Sequence, residues 1–253
     1  MKSNKIVSLC LGIICCFIVF LSEATIVHGE EVIPKHGATM KSKSIITFEE
    51  DNSPTNPLDP TNPDDMNPVT PTNPDDHEDG TAGPLSIDYI SNIRFGLNKA
   101  SGKKEIYWAK LDTVTTSDGT NQDVPNFVQV TDKRGVWDGW HLTVTQEEQF
   151  YNETAKESLI GAEIKLSNGL PKSNDGGDAP SVNDSIVLIP GKDKAIDVAN
   201  AEAGKGSGTW SIRFGNDANQ GEQSISLEVP AKTTKAQGEY ATTLTWKLTD
   251  SPV

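Results

Sequence analysis

Beyond Leu85 the chain alternates apolar and polar side chains in short runs bounded by Gly, Asn, Asp and Pro. Ala162-Glu163-Ile164-Lys165-Leu166, Trp210-Ser211-Ile212-Arg213-Phe214 and Ser224-Ile225-Ser226-Leu227-Glu228-Val229 represent the pattern. A period of two sends successive side chains to opposite faces of an extended backbone, so each run predicts a strand with one packed face and one wet face. Only Gln146–Leu159 has a helix-compatible composition, and its Asn152, Thr154 and Ser158 weaken even that. The prediction is an all-β domain over residues 85–253, sandwich- or barrel-like, built of many short and mostly antiparallel strands.

The pattern differs upstream. Ser44-Ile45-Ile46-Thr47-Phe48 is short, β-branched and apolar, with nothing local to pair with, and is expected to be a strand of the main domain. Residues 49–84 are expected to be a disordered acidic Pro-rich spacer: Pro-Thr-Asn-Pro recurs at 54–57, 60–63 and 71–74, and no Lys or Arg occurs between Ser44 and Ile93. Each Pro lacks an amide donor and disfavours helix in the residue before it, which favours extended polyproline-like chain. Residues 25–43 are expected to be a flexible N-terminal segment.

Residues 1–24 read as an export signal: Lys2 and Lys5 precede an apolar run from Ile6 to Leu21, followed by the small residues Ser22 and Ala24 around Glu23. Cys10, Cys15 and Cys16 all fall inside it, so the exported chain is expected to have no disulfide and no thiolate metal site. Leu9 and Ile14 precede cysteines where a lipid-attachment site needs a small residue, and Thr249-Asp250-Ser251-Pro252-Val253 offers no sorting or membrane anchor. Attachment to a surface is therefore expected to be noncovalent, without membrane insertion.

Composition narrows the ligand class. With 22 basic against 36 acidic side chains and a net charge of −14, the chain lacks the basic footprint that nucleic acids or anionic membranes require. Catalytic motifs are missing too: there is no Gly-x-Ser-x-Gly elbow, phosphate loop or zinc helix, and His36, His77 and His141 form no sequence constellation. Gly204-Lys205-Gly206-Ser207-Gly208 reads as a flexible turn. Asn174-Asp175-Gly176-Gly177-Asp178 lacks calcium-loop spacing. No cofactor and no metal is expected.

Two tryptophan strands carry the most specific signal: Arg134-Gly135-Val136-Trp137-Asp138-Gly139-Trp140-His141-Leu142-Thr143-Val144, and Leu244-Thr245-Trp246-Lys247-Leu248 near the end. With the Ser44–Phe48 strand, the acidic insert and the Gly83-Pro84-Leu85-Ser86-Ile87-Asp88-Tyr89 restart, they make the chain resemble the WxL-domain proteins of low-GC Gram-positive bacteria. That resemblance implies noncovalent binding to the cell wall, attributed to peptidoglycan, with Trp140, Leu142, Trp246 and Leu248 in the motif positions. It also implies two protein partners, a membrane-anchored WxL-interacting protein with immunoglobulin-like domains and a sortase-anchored surface protein. A host-directed adhesin or carbohydrate-binding module is the alternative, and a glycosidase-like enzyme the least supported one.

The residues leave two roles open for the motif. Trp and Leu two apart share a strand face, and Val144 and Leu244 extend that face, as in a core strand. A Trp ring can equally stack on a sugar. Lys133, Arg134 and Trp137, in a glycine-flanked turn, are the secondary surface candidates.

Overall fold

The structure is a computed structural model that describes residues 37–63, 67–174 and 177–250. Two compact units divide the chain at Ile46 and Thr47. The expected export signal lies outside the described residues.

Seventeen strands occur among the described residues. They are β1 (Val69–Pro71), β2 (Leu85–Ile90), β3 (Glu105–Trp108), β4 (Asp112–Thr116), β5 (Asn121–Val124) and β6 (Phe127–Asp132). β7 (Trp140–Gln146), β8 (Tyr151–Asn152), β9 (Glu157–Ser158), β10 (Glu163–Ser167), β11 (Gly169–Lys172) and β12 (Ser181–Val182) follow. β13 (Ser185–Val187), β14 (Ile196–Ala201), β15 (Gly208–Phe214), β16 (Ile225–Val229) and β17 (Leu244–Thr249) complete the set. Three four-stranded sheets run in the orders β13-β10-β16-β3, β11-β15-β6-β2 and β12-β14-β7-β17, beside a small β1-β4-β5 sheet and the β8-β9 hairpin. The named ladders are all antiparallel. The all-β expectation therefore holds, while the helix-compatible stretch after Gln146 forms the β8-β9 hairpin instead.

The alternation explains the main core. In β7 Trp140, Leu142 and Val144 point inward, as do Ile164 and Leu166 of β10, Trp210, Ile212 and Phe214 of β15, and Ile225, Leu227 and Val229 of β16; all are buried in one cluster. Central β6 departs from the pattern, because every residue from Phe127 to Asp132 is buried. Val128 and Val130 face the main core, whereas Phe127 joins Val69, Tyr89, Val114 and Val124 in a second cluster. A register shift between Ile87 and Tyr89 lets β2 serve both, with Ile87 in the first cluster and Tyr89 in the second.

The Pro-rich stretch covers that second face, which corrects its assignment as a spacer throughout. Leu58 is buried, its N–H donates to Gln129 Oε1 at 2.7 Å, and Gln129 Nε2 donates to the carbonyl of Asn56 at 3.0 Å. Arg213 Nη1 donates to the carbonyl of Pro60 at 3.3 Å, and Val69 opens the β1 strand that pairs with β4. Proline-bearing chain cannot donate a regular ladder, so buried side chains from β6 and β15 supply its partners. Beneath the strap, Asp88 accepts from Ser86 Oγ, Gln129 Nε2 and Thr131 Oγ1 at 2.6, 2.9 and 2.5 Å. Burial nevertheless pushes its carboxyl above the usual range, against those three hydrogen bonds.

Ser44–Phe48 departs from expectation as well. No strand is assigned there, and Ile45, Ile46 and Phe48 are 76, 75 and 84 % exposed. The segment has no ladder, so its β-branched residues have no face to pack.

Candidate functional site

The two tryptophan motifs are neighbours. β17 pairs antiparallel with β7, setting Trp246 opposite Val144 and Leu248 opposite Leu142. Trp140 and Leu142 are fully buried. Trp246 and Leu248 are half-buried and pack on the same core, because β17 is the last strand of its sheet.

Trp140 is fixed by a loop. Its Nε1 donates to the carbonyl of Gly206 at 2.9 Å, and Trp210 Nε1 donates to the carbonyl of Ser207 at 2.9 Å. Gly206 has φ +73°, and a Cβ there would lie 2.6 Å from Trp140 Nε1. The Gly-rich run is thus a shaped lid over two indoles, where the sequence suggests only a flexible turn. The buried donors meet carbonyls, which removes the cost of desolvating them.

The secondary set divides. Lys133 Nζ donates to the carbonyl of Ser53 at 2.6 Å and lies 3.2 Å from Asp51. Arg134 Nε and Nη2 grip Asp132 at 2.9 and 2.7 Å, and Nη2 also reaches the carbonyl of Gly139. That pairing holds the Arg134 guanidinium above its ordinary pKa. Both cations are therefore engaged within the protein. Trp137 stays 66 % exposed beside exposed Val136, while its carbonyl accepts from the N–H of Gly204 at 2.8 Å and ties the turn to the lid. The outward row of β7 and β17 is polar, with His141 Nε2 3.1 Å from Asp197 and Thr245 Oγ1 donating to Glu147 at 2.7 Å.

One aromatic escaped the sequence reasoning. Trp108 closes β3 with 46 % of its surface exposed, beside exposed Ile106, while Tyr107 between them faces the core. Ile106-Tyr107-Trp108 at a period of two forces at least one large apolar side chain outward, and that signal was available in the sequence. Trp108 walls a cavity of about 400 Å³ shared with Lys110, Thr113, Asp123 and Glu222. Thr113 Oγ1 donates to Asp123 Oδ1 at 2.8 Å, which orients that carboxylate. A second cavity of about 500 Å³, at Asn168, Asn216 and Gln220, has no aromatic wall.

Among the described residues no group of three or more His, Cys, Asp and Glu could hold a metal, and no helix is long and apolar enough to cross a membrane. The paired Trp-x-Leu strands thus build an all-β frame that leaves single aromatic side chains, Trp108 and Trp137, at the surface. The family described as WxL domain, surface cell wall-binding, matches residues 35–252, and the chain belongs to that family. It is a wall-binding surface protein, and its family is one of binding domains, not of enzymes. No curated protein and no solved structure matched the chain.

Proposed function

We propose that the domain holds the wall by noncovalent binding of peptidoglycan glycan, with a sugar ring stacked on Trp108. The observation that carries this is the half-exposed indole at the edge of a cavity bearing two carboxylates, a lysine and a threonine. Sugar C–H faces suit an indole plane, and sugar hydroxyls can donate to Asp123 and Glu222 and accept from Lys110. Trp140 and Leu142, being fully buried, act on this reading through the frame they build and not by touching glycan. Asp123 and Glu222 serve as acceptors, so no turnover of the glycan is expected.

The test is co-sedimentation of the protein with isolated walls stripped of protein. Trp108→Ala should weaken binding about tenfold, the equivalent of ~1.4 kcal/mol, with little change in thermal midpoint. Trp137→Ala should leave it within about twofold. The reverse ranking would transfer the site to the Trp137 turn. Loss of retention on protein-stripped walls by the unaltered chain would favour the membrane-anchored or sortase-anchored protein partners.

A further inference from the structure

The chain carries a strand without a sheet and a sheet edge without a strand. Ser44–Phe48 has no regular secondary structure and no ladder, with three large apolar side chains in solvent. Leaving them there forgoes the gain from burial and exposes a short β-prone, uncharged run of the kind that seeks a partner edge. Lys41 and Lys43 precede it and Glu49 and Glu50 follow it, so charge confines the apolar run to these five positions.

Among the described residues β17 presents one such edge, and it is the one that leaves a core-facing row half-covered. The sheets β11-β15-β6-β2 and β12-β14-β7-β17 both contribute to the main core. Next to β11 and β12, the N–H of Asn168 donates to the carbonyl of Asp184 at 2.8 Å, joining the two ends. The edge strand β2 is also covered: Thr81 and Ile87 exchange bonds through the carbonyl of Ile87 at 2.8 Å and Thr81 Oγ1 at 2.9 Å. Among the described residues no hydrogen bond reaches the outer side of β17; those it makes run to β7 and to Glu147. The strand has six residues, no bulge and no proline, and Lys247 is the single charged side chain on it. Its inward row of Leu244, Trp246 and Leu248 is only half-buried.

We infer that Ser44–Phe48 of one copy adds as a strand to the β17 edge of a second copy. Five residues in extended form, about 17 Å at ~3.3 Å per residue, fit along a six-residue edge of about 20 Å. Ile46 and Phe48 then face the Leu244–Trp246–Leu248 row and complete its burial, while Ile45 and Thr47 join the outward row with Thr245 and Lys247. Backbone hydrogen bonds give the affinity, and the alternating side chains give the register. Each copy offers one donor and one acceptor, so the contact is head-to-tail and propagates along a row of molecules. With a net charge of −14 the copies repel, so salt promotes the association. None of this depends on the glycan site.

Sedimentation velocity of the exported chain over a wide concentration range tests the inference. A shift from monomer to a ladder of oligomers, strengthened by salt, is expected. The variant Ile46→Lys/Phe48→Lys should associate on the order of a hundredfold more weakly, the factor for removing two buried apolar side chains, with an unchanged thermal midpoint. It keeps its acceptor edge, so a synthetic peptide of residues 41–50 should bind it. A thiol pair locates the contact, because the exported chain has no cysteine of its own: Thr47→Cys in one preparation and Lys247→Cys in another should give a mixed disulfide dimer. A wild-type chain that stays monomeric at every concentration overturns the inference, as does a peptide that fails to bind. So does a mixture of the two cysteine variants that yields no mixed disulfide.

Discussion

β7 and β17 carry the same Trp-x-Leu spacing on adjacent strands, and the fold treats them differently. Trp140 sits on a strand with neighbours on both sides, buried under a glycine lid that accepts its indole N–H. Trp246 sits on the last strand, half-buried, with one neighbour. Alternation decides which face a side chain takes, but position in the sheet decides how much of it is covered. The motif thus specifies a strand pair first, and any role of its tryptophans in binding depends on coverage that two identical spacings do not share.

The largest test of that contrast is a pair of truncations. Trp140→Ala should cost ~3 to 5 kcal/mol by denaturant unfolding, and Trp246→Ala about half of that or less, because the edge residue begins with less buried surface. Equal losses would break the comparison. Next, Gly206→Ala places a Cβ against Trp140 at a left-handed φ of +73° and should cost on the order of 2 to 3 kcal/mol. The equivalent change at Gly204, where a Cβ meets nothing within 4 Å, carries only the backbone strain of its own φ of +88° and should cost less.

Hydrogen exchange sharpens the contrast without mutation. Amides of β7 should exchange only with global opening, and those on the outer side of β17 about tenfold faster or more in dilute monomeric solution. Slow exchange along β17 under those conditions would remove the distinction between the two strands. The smallest effect concerns the tie between the first motif's turn and the strap. Hydrogen bonds from Ser53, then Lys133, hold the exposed Asp51 carboxyl down to about 2, against an ordinary 3.8. A lowered carboxylate contributes above its unfolded value and is lost as pH falls through its folded one, so the tie should persist through pH 4 and release near pH 2. An NMR titration of Asp51 should show that midpoint, shifted upward only slightly in Lys133→Ala because Ser53 supplies the larger part.

The strand architecture was legible because Ile164–Leu166 and Trp210–Phe214 announce their faces without help from distant residues. The strap was not. Leu58 and Val69 are single apolar residues among prolines and acids, and no period marks either; Leu58 is held by Gln129 and Val69 packs with Val114, Val124 and Phe127, all far along the chain. Ser44–Phe48 was legible as strand-forming sequence but not as a strand without a ladder, since propensity says nothing about where a partner edge lies. At the site, Trp140 and Trp246 looked alike because sheet order is a property of the whole topology. Trp108 was discoverable from its own triplet, but its neighbours Asp123 and Glu222 come from β5 and the end of the single-turn helix Ala218–Gly221, and only the fold assembles them.

The glycine lid has an optical consequence. Of the five tryptophans, Trp140 and Trp210 are buried and bonded to consecutive carbonyls of one turn, Trp246 is half-buried, and Trp108 and Trp137 are open to solvent. Emission should therefore separate into a blue component that iodide does not quench and a red one that it does. Loosening of the lid would move the first, and contact with a wall fragment the second, so the unlabelled protein distinguishes unfolding from ligand capture in a single cuvette.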